Sequence, residues 1–219
     1  MVKTLMLKCA GGKAKDGGSA AVEECLKLIL LSEKYCSSSE IEVEWKDLGL
    51  THLEESYIDR IAKYHLISLE GNQISYLPGN MDVLVNLERL DLSNNKLREF
   101  PASLLQLPCL QTLFLNSNLI ESLPQTDAWS SSPLISLSVK GNLLTSLPIE
   151  INSKITFLNI ANNKFKEFPM VICNMKTLEY LNISGNKDMK RLPIELGYNT
   201  NLTNIAWEDL SVSTTSLGR

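Results

Sequence analysis

The residues able to do chemistry are few and widely spaced. Gly11-Gly12-Lys13-Ala14 is the segment nearest to a phosphate loop, but it lacks an earlier spaced glycine, a Ser or Thr after the lysine, and a strand-to-helix setting. With Asp16, Gly17 and Gly18 it reads instead as part of a flexible Gly/Lys arm over residues 1–18. The only histidines, His52 and His65, stand at no metal-ligand spacing to a cysteine and read as surface or cap residues. The five cysteines (Cys9, Cys25, Cys36, Cys109, Cys173) are odd in number and form no CxxC, which fits reduced thiols. Cys25 and Cys36 fall near one face of a helix, and with Cys109 and Cys173 they are expected to be buried apolar groups. Glu23-Glu24 and Glu54-Glu55 are most simply solvated charges. No catalytic, cofactor-binding or metal-binding residue is expected, and hence no cofactor.

Composition narrows the class further. The 219 residues, 44% hydrophobic and 21% charged, suffice for one well-buried core. Only 6% are aromatic, while Leu, Ile and Asn recur throughout, a sign of a repetitive aliphatic core. A net charge of -4 argues against nucleic acid, which demands a basic footprint. Leu28 to Leu31, the most apolar run, is bounded by Lys27 and Ser32 and is too short to insert in a membrane. Lys8 ends the apolar stretch at the start before it can serve as a signal core, and Val2 rules out myristoylation, so a cytoplasmic protein is expected. Asn182-Ile183-Ser184 and Asn201-Leu202-Thr203 match the glycosylation pattern, incidentally in an unsecreted chain.

One side chain organises the rest. Asn72, Asn95, Asn118, Asn142, Asn163 and Asn186 are separated by 23, 23, 24, 21 and 23 residues. Around each stands the frame L-x-L-x-x-N-x-L-x-x-L-P, cleanest at Leu90, Leu92, Asn95, Leu97, Phe100 and Pro101. Alternating strand side chains would turn the L-x-L pair into a core and their neighbours onto the opposite face. The asparagine, with two donors and an acceptor, would satisfy backbone groups that the turn buries, so stacked copies form a structural ladder. The proline, unable to donate to a sheet, sends the chain back along the other side.

This frame resembles the leucine-rich-repeat superfamily, in its intracellular 23-residue class, over residues 41–210. The resemblance implies an α/β solenoid of about eight units with a parallel concave sheet and a short 3-10 or irregular convex side. Two end units are degenerate, with Leu48 and Leu210 in place of the asparagine. Trp45 and Trp207 occupy their core positions and are expected to close the two ends. Residues 19–40 are expected to form an N-terminal capping helix, on the helical spacing of Val22, Cys25, Leu26, Ile29 and Leu30 after Ser19; 211–219 would be a C-terminal tail. The end segments, Val43 to Leu50 and Arg191 to Gly197 followed by Trp207 to Ser213, resemble the borders of the repeat segment in Roco-family leucine-rich-repeat kinases. Such proteins place a GTPase and a kinase after the repeats, but no GxxxxGK[ST], HRD or DFG motif occurs in this chain.

Two functions remain open: a non-enzymatic module binding a partner protein on its concave face, or the regulatory repeat segment of a larger Roco-type protein. On that face the first units offer Glu42, Glu44, Glu70 and Asp91 against Lys46 and Arg89, an acidic end suited to a basic partner segment. Later units offer Phe114, Asn116, Ser138, Lys140, Phe157, Asn159, Tyr180 and Asn182. Aromatics among Asn and Ser suit a protein-binding hot spot; alternatively Phe157 and Tyr180 only pack on each other.

Overall fold

The structure is a computed structural model that describes residues 6–8 and 42–210. Among these, nine three-residue strands form one sheet in strict chain order: β1 (Met6–Lys8), β2 (Glu42–Glu44), β3 (Leu66–Ser68), β4 (Arg89–Asp91), β5 (Thr112–Phe114), β6 (Ser136–Ser138), β7 (Phe157–Asn159), β8 (Tyr180–Asn182) and β9 (Asn204–Ala206). Every neighbouring pair is parallel. Chain order is what a solenoid demands, since each unit can bury its apolar face only on the next.

Register follows the repeat. Val43, Ile67, Leu90, Leu113, Leu137, Leu158 and Leu181 are paired strand to strand and are all buried. Trp45, Leu69, Leu92, Leu115, Val139, Ile160 and Ile183 form a second buried row two residues on. Each such aliphatic contributes about 1.5–3 kcal/mol by leaving water.

The turns after the strands share one backbone device. Gly71, Asn94, Ser117, Gly141, Asn162 and Gly185 each precede a ladder asparagine, and all have φ between 52° and 74°. Asp47 and Asp209 do the same before Leu48 and Leu210, so the end units keep the turn without the amide. Only Gly, and among the rest mainly Asn and Asp, enter this left-handed region at low cost, which accounts for most of the residue types found there.

The return side varies with unit length. Helix α1 (Glu55–Ile61) buries Tyr57, Ile58 and Ile61 beneath the first described turn. Later units return through 3-10 helices at Met81–Val83, Ala102–Gln106, Met170–Asn174 and Ile194–Tyr198. The 24-residue spacing between Asn118 and Asn142 accommodates a short helix, α2 (Ala128–Ser131). It drives Trp129 fully into the core, where the indole N–H donates to the Pro124 carbonyl at 2.9 Å and the ring tilts against Phe100 at 5.3 Å.

Several expectations need correction. Residues 6–8, assigned to the flexible arm, form β1 and extend the sheet by a strand. The capping helix at 19–40 and the tail at 211–219 lie outside the described residues. Trp45 is fully buried as expected, but Trp207 is 45% exposed. It follows β9, which ends the sheet among the described residues, and Ile205 beside it is likewise exposed. Cys109 is exposed while Cys173 is buried, because the first caps a turn facing outward and the second lies on the inner side of a 3-10 helix.

Candidate functional site

Each ladder asparagine joins two units. Asn118 Nδ2 donates to the carbonyls of Leu115 and Asn116 in its own turn and of Leu92 in the preceding unit, while its Oδ1 accepts the Leu97 N–H at 3.0 Å. Asn95, Asn142 and Asn163 repeat the pattern. Asn72 keeps the pattern, donating to the Trp45 and Leu69 carbonyls and accepting the Leu50 N–H, and its Oδ1 also accepts the N–H of Leu48, the residue in the asparagine's place in the degenerate unit. Asn186 donates to Ile160 and Ile183. All six are buried, so they hold the site and are not part of it.

The strand residues between and beside the core rows make the concave face. At its N-terminal end Lys46 Nζ lies 3.2 Å from Glu44 and 3.8 Å from Glu70. Burial pulls the Lys46 pKa down, but the Glu44 hydrogen bond and the charges of Glu44, Glu70 and Asp91 outweigh it and hold it above the ordinary value. The acidic end therefore already carries one cation. Glu70 also accepts from Asn94 Nδ2, and Asp91 accepts the Ser93 N–H at 2.9 Å.

The centre is a polar relay. Asn116 Nδ2 donates to Ser93 Oγ, while its Oδ1 accepts from Ser138 Oγ and from the Lys140 N–H. Ser138 is consequently buried, its hydroxyl spent on Asn116, and lies below the surface that a partner could touch. Lys140 is exposed. Asn159 and Asn182 accept the N–H groups of Ala161 and Ser184, each closing its own turn.

The aromatics flank this centre. Arg89 stacks over Phe114 at 5.0 Å. Phe157 and Tyr180, paired in register on adjacent strands, stack face to face with centroids 4.5 Å apart and planes within 5°. All three aromatics are half-buried. Phe114 and Phe157 stand on either side of β6 and diagonally across it, Phe114 paired with Ser138 and Phe157 with Ser136. Their strands lie roughly 10 Å apart, with half-buried Ser136 and buried Ser138 between them. The packing of Phe157 on Tyr180 and their partial exposure coexist, because stacking covers one face of each ring and leaves the edges to solvent. The sequence placed the aromatics on this face; that small residues separate Phe114 from the stacked pair was legible in Ser136 and Ser138.

Among the described residues no three of His, Cys, Asp and Glu gather as a metal site would require. His65 Nδ1 meets Glu88 at 3.0 Å on the surface, and His52 pairs with Thr51.

The profile of the family described as Leucine Rich repeats (2 copies) matches residues 85–127. The chain is a leucine-rich-repeat protein. Its repeats are similar to those of the mouse (Mus musculus) leucine-rich repeat serine/threonine-protein kinase 1, 27% identical across 65% of this chain and 9% of that protein. A probable inactive serine/threonine-protein kinase, roco10 of Dictyostelium discoideum, is 26% identical across 77% of this chain and 7% of its own length. The Ras guanine nucleotide exchange factor V of the same organism is 36% identical across 46% of this chain and 5% of its own. The leucine-rich-repeat chain thus spans less than a tenth of these relatives. An internalin from Listeria monocytogenes shares the fold, with a TM-score of 0.65 at 18% identity, covering 80% of this chain and 49% of that one. No described helix is long and apolar enough to cross a membrane.

Proposed function

We propose that this leucine-rich-repeat chain is a non-catalytic module that binds a partner protein on its concave face. One observation carries the reading: three half-buried aromatic rings stand on one face, on either side of the small residues of β6, where the backbone is already paired in the sheet. A partner laying an apolar side chain over Ser136, beside Phe114 and Phe157, would cover the ring edges, and aromatic anchors of this kind dominate protein interfaces. Glu70 and Asp91 extend the surface toward the acidic end, where a basic stretch of the partner would lie; Asn116, Lys140, Asn159 and Asn182 form its polar surround. Nucleic acid does not suit so acidic a face. A cytoplasmic location fits the intracellular class of the repeats.

A second reading is that the repeats regulate a larger Roco-type GTPase and kinase, favoured by the likeness to kinase 1 and to roco10. Transcript sequence beyond the Arg219 codon that encodes a phosphate loop would support it, and a stop codon there would oppose it.

The binding role is tested with Phe114→Ala and Tyr180→Ala in the full chain against a partner recovered with the parent. A loss of affinity of tenfold or more with unchanged thermal unfolding is expected; equal affinity in both variants would overturn the placement.

A further inference from the structure

The residue after the repeat proline changes character along the solenoid. In the first three complete units it is Gly79, Ala102 and Gln125; in the next three it is Ile149, Met170 and Ile194. These last are 80%, 52% and 69% exposed. Ile149 and Met170 border one surface depression, and Met170 and Pro193, the residue before Ile194, border the next.

Depressions separate them. One, between the Ile149 and Met170 units, is lined by Leu147, Phe168 and Val171. The next, between the Met170 and Ile194 units, is lined by Phe168, Leu192 and Pro193 and rimmed by Lys166, Lys190 and Arg191. A third adjoins it and includes Lys164. Among the described residues, Lys164, Lys166, Lys190 and Arg191 make no ion pair, although Glu167 and Asp188 stand on the same flank. Four cations outside ion pairs, against the two carboxylates Glu167 and Asp188, beside a row of exposed aliphatics are unlike the rest of a chain whose net charge is -4.

We propose that this flank is a second docking surface, and that it takes an amphipathic helix of a partner protein whose apolar stripe is bordered by carboxylates. The spacing matches. Units stack at about 4.8 Å on the sheet and slightly wider on the outside of the curve. Apolar residues four apart on a helix rise about 6 Å. A helix crossing the units would drop successive apolar side chains into the two grooves between Ile149, Met170 and Ile194, a helix-in-groove arrangement. Carboxylates on its borders would meet Lys166, Lys190 and Arg191. A lipid surface is the lesser fit, since ridges and grooves suit a ridged ligand and Glu167 and Asp188 would face anionic headgroups.

The test is selection of helical peptides from a display library, randomised at stripe and border positions, against the full chain. Enriched peptides should carry apolar residues at i, i+3 or i+4, and i+7 with Asp or Glu beside them. Their affinity should fall at least tenfold in Ile149→Glu/Met170→Glu and in the charge reversal Lys166→Glu/Arg191→Glu, and should be unchanged in Phe157→Ala/Tyr180→Ala. That last arm separates this surface from the concave one. If the first double variant unfolds, the charge reversal alone decides. No enrichment, basic borders in the enriched peptides, or equal binding by the charge reversal would overturn the proposal. So would sedimentation with phosphatidylserine vesicles that the same substitutions abolish while no peptide binds.

Discussion

Asn186 accepts the backbone N–H of Asn163 on its Oδ1 at 3.2 Å, so one rung of the ladder holds the next across a unit boundary. Asn163 in turn donates to Val139, Ile160 and Ala161 and accepts from Leu144. Its removal strands buried polar groups in two units at once.

Asn163→Ala and Asn118→Ala should each lower the unfolding free energy by about 1–3 kcal/mol, the cost of a buried group left without its partner. Asn163→Asp keeps an acceptor for Leu144 but loses the donors and buries a charge, so it should do no better than alanine. Urea unfolding midpoints read this directly. Unchanged midpoints in both alanine variants would remove the ladder from the stability of the fold.

Trp129 fills the enlarged unit. Trp129→Ala should cost about 3–5 kcal/mol, as loss of a large buried aromatic does. Trp129→Phe, which retains a ring against Phe100 but leaves the Pro124 carbonyl without its donor, should fall between alanine and the parent. A phenylalanine variant as unstable as alanine would mean that shape, not ring contact, governs this site.

Ser117 adopts φ 52° immediately before Asn118 and is exposed. Glycine relieves that backbone conformation, whereas alanine does not. Ser117→Gly should therefore exceed Ser117→Ala in stability by about 1 kcal/mol, visible as a higher melting temperature. The reverse order would contradict the turn geometry.

The two described cysteines should react differently. Burial, helped by Glu195 and offset in part by Lys176, holds the Cys173 thiol protonated to a higher pH than usual, and only the thiolate is a nucleophile. Under native conditions at pH 8 iodoacetamide should label Cys109, and label Cys173 only on unfolding. Peptide mapping that finds Cys173 labelled first would refute its burial.

Much of this was legible in the residues. The asparagine period fixes the strand register, because a frame of two core residues and an amide tolerates no slip without turning Leu90 or Leu113 to solvent. The residues of the concave face followed from the same alternation. What escaped was whatever depends on neighbours rather than on period. Met6–Lys8 pairs with β2 without carrying the frame. Ser138 is buried because Asn116, one strand away, takes its hydroxyl. Trp207 sits in a core position of the frame, yet a core position is buried only if another layer covers it. The row Ile149, Met170 and Ile194 was visible after the prolines, but its exposure was not.

The binding claim is tested most directly by photo-crosslinking from two places on the intact chain, with benzoylphenylalanine at Asn182 on the concave face or at exposed Ser103 on the convex side. Adducts to one partner from position 182, absent from position 103 and diminished by Phe114→Ala, are expected. Adducts from position 103 alone, or adducts at 182 that Phe114→Ala leaves undiminished, would contradict a partner held on the concave face.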